Sequence, residues 1–224
     1  MGTSLLKYPK KSHRKNISLP NESNDLAELM GIIAGDGGIN NNWQLVISLN
    51  SIKDFTYSTY VSNLLKKLFS IKTAKRKRPN QNTLVIVCSS TNLVDYLISK
   101  GAVQGDKIAQ NINIPSWITK RNSFKKAFVR GLVDTDGCLY VHKHCVNDKT
   151  YLNIGFCFTS LSNKLLLSVA RVLSEFGIKP YIKDNNHRIY LYSKSNVIRY
   201  LSVFGSSNPR IYQRYTDWRD ARAV

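Results

Sequence analysis

The segment LMGIIAGDGGI at residues 29 to 39 returns as VRGLVDTDGCL at residues 129 to 139, with Gly31/Gly131, Asp36/Asp136 and Gly37/Gly137 identical and apolar residues matched to apolar ones. Two more pairs follow in the same order: FSIK at 69 to 72 with FGIK at 176 to 179, and TNLVDYL at 91 to 97 with SNVIRYL at 195 to 201. Three collinear matches with identities at Gly and Asp define an imperfect internal repeat, and each copy is one structural unit. The fold is therefore one that a chain can build twice and pack against itself.

Each copy reads helix, two strands, helix, two strands, helix. Ser23, Asn24 or Asp25 can cap a helix with Leu26, Leu29, Met30 and Ile33 on its apolar face, ended by Gly37-Gly38. Gln44 to Leu49 alternates polar and apolar, Ser51 to Phe69 has helical spacing, and Ile71 to Arg78 with Thr83 to Ser89 forms a hairpin before a helix from Thr91 to Lys100. The second copy predicts a helix at 123–136, strands at 138–146 and 150–160, a helix at 162–176, a hairpin at 178–193 and a helix at 195–204. Expected boundaries are a basic N-terminal arm at 1–22, a first repeat at 23–111, a linker at 112–122 around Pro115, a second repeat at 123–205 and a helical tail at 206–224. Strands and helices in this order make the class α+β.

Charge narrows the partner. The 224 residues carry 33 Lys+Arg against 14 Asp+Glu, a net +19, and both halves are basic. An excess of that size spread over the chain favours a polyanion. With 42% hydrophobic residues the chain has the apolar surface for compact cores, which excludes disorder over most of its length. No apolar run approaches the roughly 18–20 residues of a membrane span. The basic start, with Lys7, Lys10, Lys11, Arg14 and Lys15, has no apolar stretch after it, so export is not expected and the arm is a candidate nucleic-acid contact. Cys88, Cys138, Cys145 and Cys157 show no paired CxxC spacing and are read as packing residues of a protein in a reducing compartment.

Asp36 and Asp136 stand where their helices end, beside outward-pointing carbonyls and the negative end of the helix dipole. That placement is unfavourable by ~0.3–1 kcal/mol. Its recurrence calls for a compensating cation. Gly31, Gly35 and Gly131 are small residues at helical spacing that allow two backbones to approach closely. If the two helices pack on each other, both carboxylates meet at one end and form an oxygen-only site suited to a hard divalent cation such as Mg2+. Such a cation serves phosphodiester hydrolysis.

LMGIIAGDG and VRGLVDTDG resemble the two signature helices of the LAGLIDADG homing endonucleases in their single-chain, two-motif form, and the element order extends the resemblance from about residue 24 to about 205. The resemblance implies two pseudo-twofold-related αββαββα units whose antiparallel sheets form a saddle over a DNA major groove. It implies a metal-dependent endonuclease that cuts each strand of a long, asymmetric site once and leaves short 3′ overhangs. Asp36 and Asp136 would then be the catalytic, metal-binding acids, with the carbonyls of Gly35 and Thr135 completing the coordination. Mg2+ is the expected ion, with Mn2+ able to substitute and Ca2+ supporting binding without cleavage. Asp134 falls on another acidic consensus position, but Ala34 is its counterpart, so it is read as structural. Where the family offers a Gln-Lys pair, this chain has Leu49-Asn50 and Ser160-Leu161; Lys194 and Ser89 are the candidates left for a supporting shell.

Recognition is expected from the strands. Candidate DNA contacts are Lys75, Arg76, Lys77 and Arg78, of which strand alternation lets only some face the groove, with Asn41, Asn42, Gln44, His142, Lys143, His144, Lys179, Lys183 and Arg188. Arg pairs with guanine and Asn or Gln with adenine, whereas Lys more often meets phosphate. The tail, with Arg210, Arg214, Trp218 and Arg219, is a candidate for added backbone contacts. The expected protein is a monomer with internal pseudo-dimer symmetry, inside a prokaryotic cell or organelle, with double-stranded DNA as partner. A maturase that binds intron RNA and a DNA-binding regulator without catalysis are the alternatives; an intein is disfavoured, because neither an N-terminal nucleophile nor a C-terminal His-Asn junction is present.

Overall fold

The computed structural model describes residues 13–183 and 187–221; Lys7, Lys10 and Lys11 of the basic arm lie outside them. The first unit runs α1 (Asn24–Gly35), β1 (Gly37–Asn41), β2 (Gln44–Asn50), α2 (Phe55–Phe69), β3 (Ala74–Lys77), β4 (Thr83–Ser89) and α3 (Thr91–Ser99). After a short helix α4 (Ser116–Thr119), the second unit repeats the order as α5 (Asn122–Asp136), β5 (Gly137–Val146), β6 (Lys149–Thr159), α6 (Asn163–Glu175), β7 (Tyr181–Lys183), β8 (Arg188–Leu191) and α7 (Lys194–Val203); α8 (Pro209–Asp220) follows. The two antiparallel four-stranded sheets have matching orders, β1-β2-β4-β3 and β5-β6-β8-β7. The chain is therefore α+β, two αββαββα units related by an internal pseudo-twofold.

Both units rest on the α1–α5 pair. Ser23 caps α1 by accepting from the Leu26 N–H at 3.2 Å, and Leu26, Leu29, Ile32 and Ile33 are buried below it. A Cβ added at Gly31 would strike the Phe128 carbonyl oxygen, and one added at Gly131 would strike the Glu28 carbonyl oxygen. At an offset of 100 these are the same contact made twice. Only a residue without a side chain lets the backbones pass this closely. Beside them Glu28, fully buried, pairs with Arg130 across the helices and accepts from Tyr60 at 2.8 Å.

The other repeated motifs are also structural. Ser70 (φ 53°) and Gly177 (φ 70°) stop α2 and α6 in the left-handed region, and Ile71 and Ile178 then enter the core.

Several local expectations are corrected. Gly37 opens β1 and does not end α1, because the Asp36 N–H already closes the helix on Ile32. α2 begins at Phe55 because the Asn50 side chain accepts from the Ile52 and Lys53 N–H groups and holds a turn there. As an addition rather than a correction, the expected linker at 112–122 holds α4, whose Trp117 and Ile118 are buried. Of the cysteines only Cys88 packs in the core, where burial pushes its thiol up to about 12; Cys138 and Cys145 are exposed and Cys157 half-buried. Among the described residues no helix is long and apolar enough to cross a membrane.

Candidate active site

The α1–α5 crossing brings Asp36 and Asp136 together at one end. A Cβ on Gly35 would come within 3.2 Å of Asp136 Oδ2, so the Asp136 carboxylate lies over the last turn of α1. Both side chains are half-buried, and among the described residues neither has a hydrogen bond or salt bridge. Burial raises Asp36 to about 6, with Asp54 adding to the rise and Lys107 and Arg210 opposing it. Burial also raises Asp136, to about 7; the neighbouring Asp36 charge adds to the rise and Lys107 opposes it. The other acids of this region are satisfied. Asp134 is buried and accepts from the Ser206 hydroxyl and the Ser207 N–H, which ties α5 to the turn before α8.

A recess flanks the acids on each side. One, of about 320 Å³, is lined by Gly35, Lys107, Asp136 and the turn Thr159–Ser162. The other, of about 380 Å³, is lined by Asp36, Thr135, Arg210, Asn50, Asp54 and their neighbours. Each combines the acid of one helix with the end of the other. Lys107 donates to the carbonyls of Ile33 (3.3 Å), Ala34 (3.0 Å) and Gly35, so its ammonium caps α1. Burial lowers its pKa, while Asp136 and Asp36 pull it back up. Arg210 is its counterpart at an offset of 103. It bonds the Asp134 carbonyl at 3.4 Å at the end of α5, and its Nε pairs with Asp54 at 3.0 Å.

Sequence reasoning missed Lys107 and Asp54, and placed Arg210 only as a backbone contact of the tail. A signal was available, because each cation follows the third helix of its unit at an equivalent distance. It is a weak one, since neither cation lies in a motif. Leu49-Asn50 and Ser160-Leu161 do line the recesses. Ser89 and Lys194 line neither: Ser89 accepts from Gln44 at 3.2 Å, and the Lys194 ammonium sits over the Trp218 ring.

Strand pairing sorts the candidate contacts by face. In the first sheet Ser48 and Asn50 of β2 lie opposite Val85 and Thr83, with Arg76 and Arg78 beyond them, on the face away from the helices. Lys75 and Lys77 take the other face, where Lys75 reaches Ser58 and Thr59 of α2 at 3.1 and 3.0 Å. Gln44 is on the open face; Asn41 ends β1 opposite it, and Asn42 and Trp43 form the β1–β2 turn, with the Asn41 side chain accepting from the Trp43 N–H.

In the second sheet His142 and His144 are on the open face opposite Asn153 and Tyr151, while Lys143 points to the opposite side. Lys183 pairs across strands with Arg188, and Lys179 precedes β7 and donates its N–H to Asn196. Tyr140, Tyr151, Tyr181, Tyr190 and, just past β8, Tyr192 complete an aromatic face that has no equivalent in the first sheet. Arg14, from the expected arm, is 2.8 Å from Asp95 and 2.9 Å from the Asn92 side chain.

Residues 123–214 match the family described as the LAGLIDADG-like domain. A replication factor C small subunit of Methanocaldococcus jannaschii is 28% identical over 219 residues, covering 88% of this chain; the chain spans 11% of that relative. Among solved structures, full-length DUF199/WhiA from Thermatoga maritima has a TM-score of 0.55 at 17% identity, over 92% of this chain and 63% of its own. The homing endonuclease I-DmoI in complex with DNA and Ca has a TM-score of 0.55 at 17% identity, over 86% of this chain and 97% of its own. The chain thus matches the LAGLIDADG-like domain over residues 123–214 and shares, over most of its length, the fold of the two-motif LAGLIDADG homing endonucleases.

Proposed function

We propose that the chain is a site-specific endonuclease for double-stranded DNA, with Asp36 and Asp136 as its catalytic acids. One observation carries the reading: two half-buried carboxylates, each without a hydrogen-bond partner among the described residues, come close enough at two helix C-termini for the charge of Asp36 to act on Asp136, in a chain of net +19. A protein that only binds a phosphate backbone has no use for an unpaired acid pair there.

The donor set suits Mg2+. It is all oxygen: the Asp36 and Asp136 carboxylates and the Gly35 and Thr135 carbonyls would hold the ion, which would take the Gly35 carbonyl from the Lys107 ammonium that now bonds it. No three His, Cys, Asp or Glu side chains converge among the described residues; Asp36 and Asp136 would be the acidic ligands, and phosphate oxygens of the substrate would complete the coordination. When bound, a divalent cation lowers the pKa of water and stabilises the leaving oxygen. Lys107 in one recess and Arg210 in the other would each supply a cation to a phosphate bound there. I-DmoI, which shares the fold, has been solved with DNA and Mn as well as with DNA and Ca, which supports a divalent metal here. The open faces of the two sheets hold the DNA, and the protein acts inside the cell.

The test is incubation with a randomised duplex library in Mg2+ and, separately, in Ca2+. Retention in Ca2+ and staggered cutting of one long motif in Mg2+ are expected. Asp36→Asn and Asp136→Asn should each abolish double-strand cleavage while binding persists. Full cleavage by Asp136→Asn would refute the shared acid site. Retention of duplex without cutting would leave a DNA-binding regulator.

A further inference from the structure

The two open faces differ in chemistry more than two copies of one unit need to. The first offers Arg76, Arg78 and Gln44, long polar groups suited to purine edges and phosphates. The second offers tyrosine and histidine, with Lys183 and Arg188 as cations at the β7–β8 corner. Its rings stand against one another: Tyr190 and Tyr192 are 5.3 Å apart and within 5° of parallel, and His142 and His144 are 5.6 Å apart at 29°. Rings stacked in this way cover each other's faces and turn their edges outward. That geometry does not suit unpaired bases, which need a free ring face. It suits the floor of a major groove, where ring edges meet methyl groups and hydroxyls, able to donate or accept, meet base edges. Between Tyr140, His142, Asn153 and Tyr192 lies a recess of about 350 Å³ floored by Ile154 and Gly155. Tyr140 lies so close over Gly155 that a Cβ there would be 2.5 Å from its hydroxyl, so the ring forms one wall of the recess.

Resting on the endonuclease reading, we propose that the second sheet recognises its half of the target duplex through thymine methyl groups held against this aromatic recess, while the first sheet reads its half through Arg and Gln. The target is then chemically asymmetric: one half depends on 5-methyl groups, the other on charge.

The experiment uses the duplex selected in Ca2+, with thymidine replaced by deoxyuridine in one half at a time, which removes only the methyl. Replacement in one half should weaken binding by about fourfold per methyl contacted, the worth of one buried carbon. Replacement in the other half should leave binding unchanged. Tyr192→Ala should erase the thymidine–deoxyuridine difference; Tyr192→Phe, which keeps the ring under the Lys183 ammonium 5.6 Å from its centre, should retain the difference. Arg76→Ala should lower the salt dependence and leave the difference intact. Equal effects in both halves, no effect in either, or a difference that survives Tyr192→Ala would overturn the inference while leaving the endonuclease reading standing. Tyr192-dependent capture of single-stranded RNA in preference to duplex would overturn it in favour of a stacking surface. Failure to retain any duplex would overturn the endonuclease reading and the inference together.

Discussion

Asp36 and Asp136 show how a pair of neighbouring, half-buried acids strains the fold that holds it. Each has a folded-state pKa above the ordinary carboxylate value, about 6 and about 7. Between the unfolded and folded values the native state binds more protons than the unfolded chain, so stability falls as pH rises through that window. The metal-free protein should therefore be less stable at pH 8 than at pH 5 on account of these groups. Asp136→Asn should be more stable than the parent by about 1–2 kcal/mol at pH 8, an advantage that vanishes near pH 4. Urea unfolding at the two pH values measures it, and an advantage that grows toward acid would contradict the cause assigned. Lys107 belongs to the recess of Asp136, whereas Arg210 is shared with Asp54. On the proposed endonuclease function, Lys107→Met should slow one strand cut by about 100-fold, as removal of a transition-state cation does, and let nicked plasmid accumulate before linear product.

At the scale of elements, the α1–α5 crossing sets the position of everything else. Gly31→Ala places a methyl against the Phe128 carbonyl, a backbone atom that cannot rotate away. It should cost about 2–3 kcal/mol in chemical denaturation, the range of an overpacked core. The element types were legible because helical and alternating patterns are strong in residues such as Leu26 to Ile33 and Gln44 to Leu49. Their ends were less so. Gly37 carries a helix-stop signal in sequence, yet the chain enters β1 there, and the turn before Phe55 depends on the Asn50 side chain folding back on its own backbone.

At the scale of the whole molecule, both halves are basic but their charge is deployed differently. Arg76 and Arg78 face outward from the first sheet, whereas Lys75 turns to α2 and Arg14 pairs with Asp95. Arg76→Ala with Arg78→Ala should lower the slope of log K against log salt by about two for duplex binding, one for each phosphate no longer neutralised. Lys75→Ala should leave that slope nearly unchanged. Binding isotherms at several salt concentrations make the comparison, and an equal fall for Lys75→Ala would mean that the sheet face has been assigned wrongly.

The repeat, the α+β class and the pairing of the two aspartates follow from the sequence by itself, because identical Gly and Asp residues at matching positions encode local constraints: close backbone approach and a charge at a helix end. The roles of Lys107 and Arg210 came only from the tertiary structure. They reach the acids from segments beyond the third helix of each unit, and no local pattern records where such a segment returns. The same holds for the aromatic face, since Tyr140, Tyr181 and Tyr192 are scattered in sequence and become one surface only when the strand order β5-β6-β8-β7 sets them side by side. Local patterns report what a residue does within its own helix or strand; which distant residues share a face is decided by the pairing of elements.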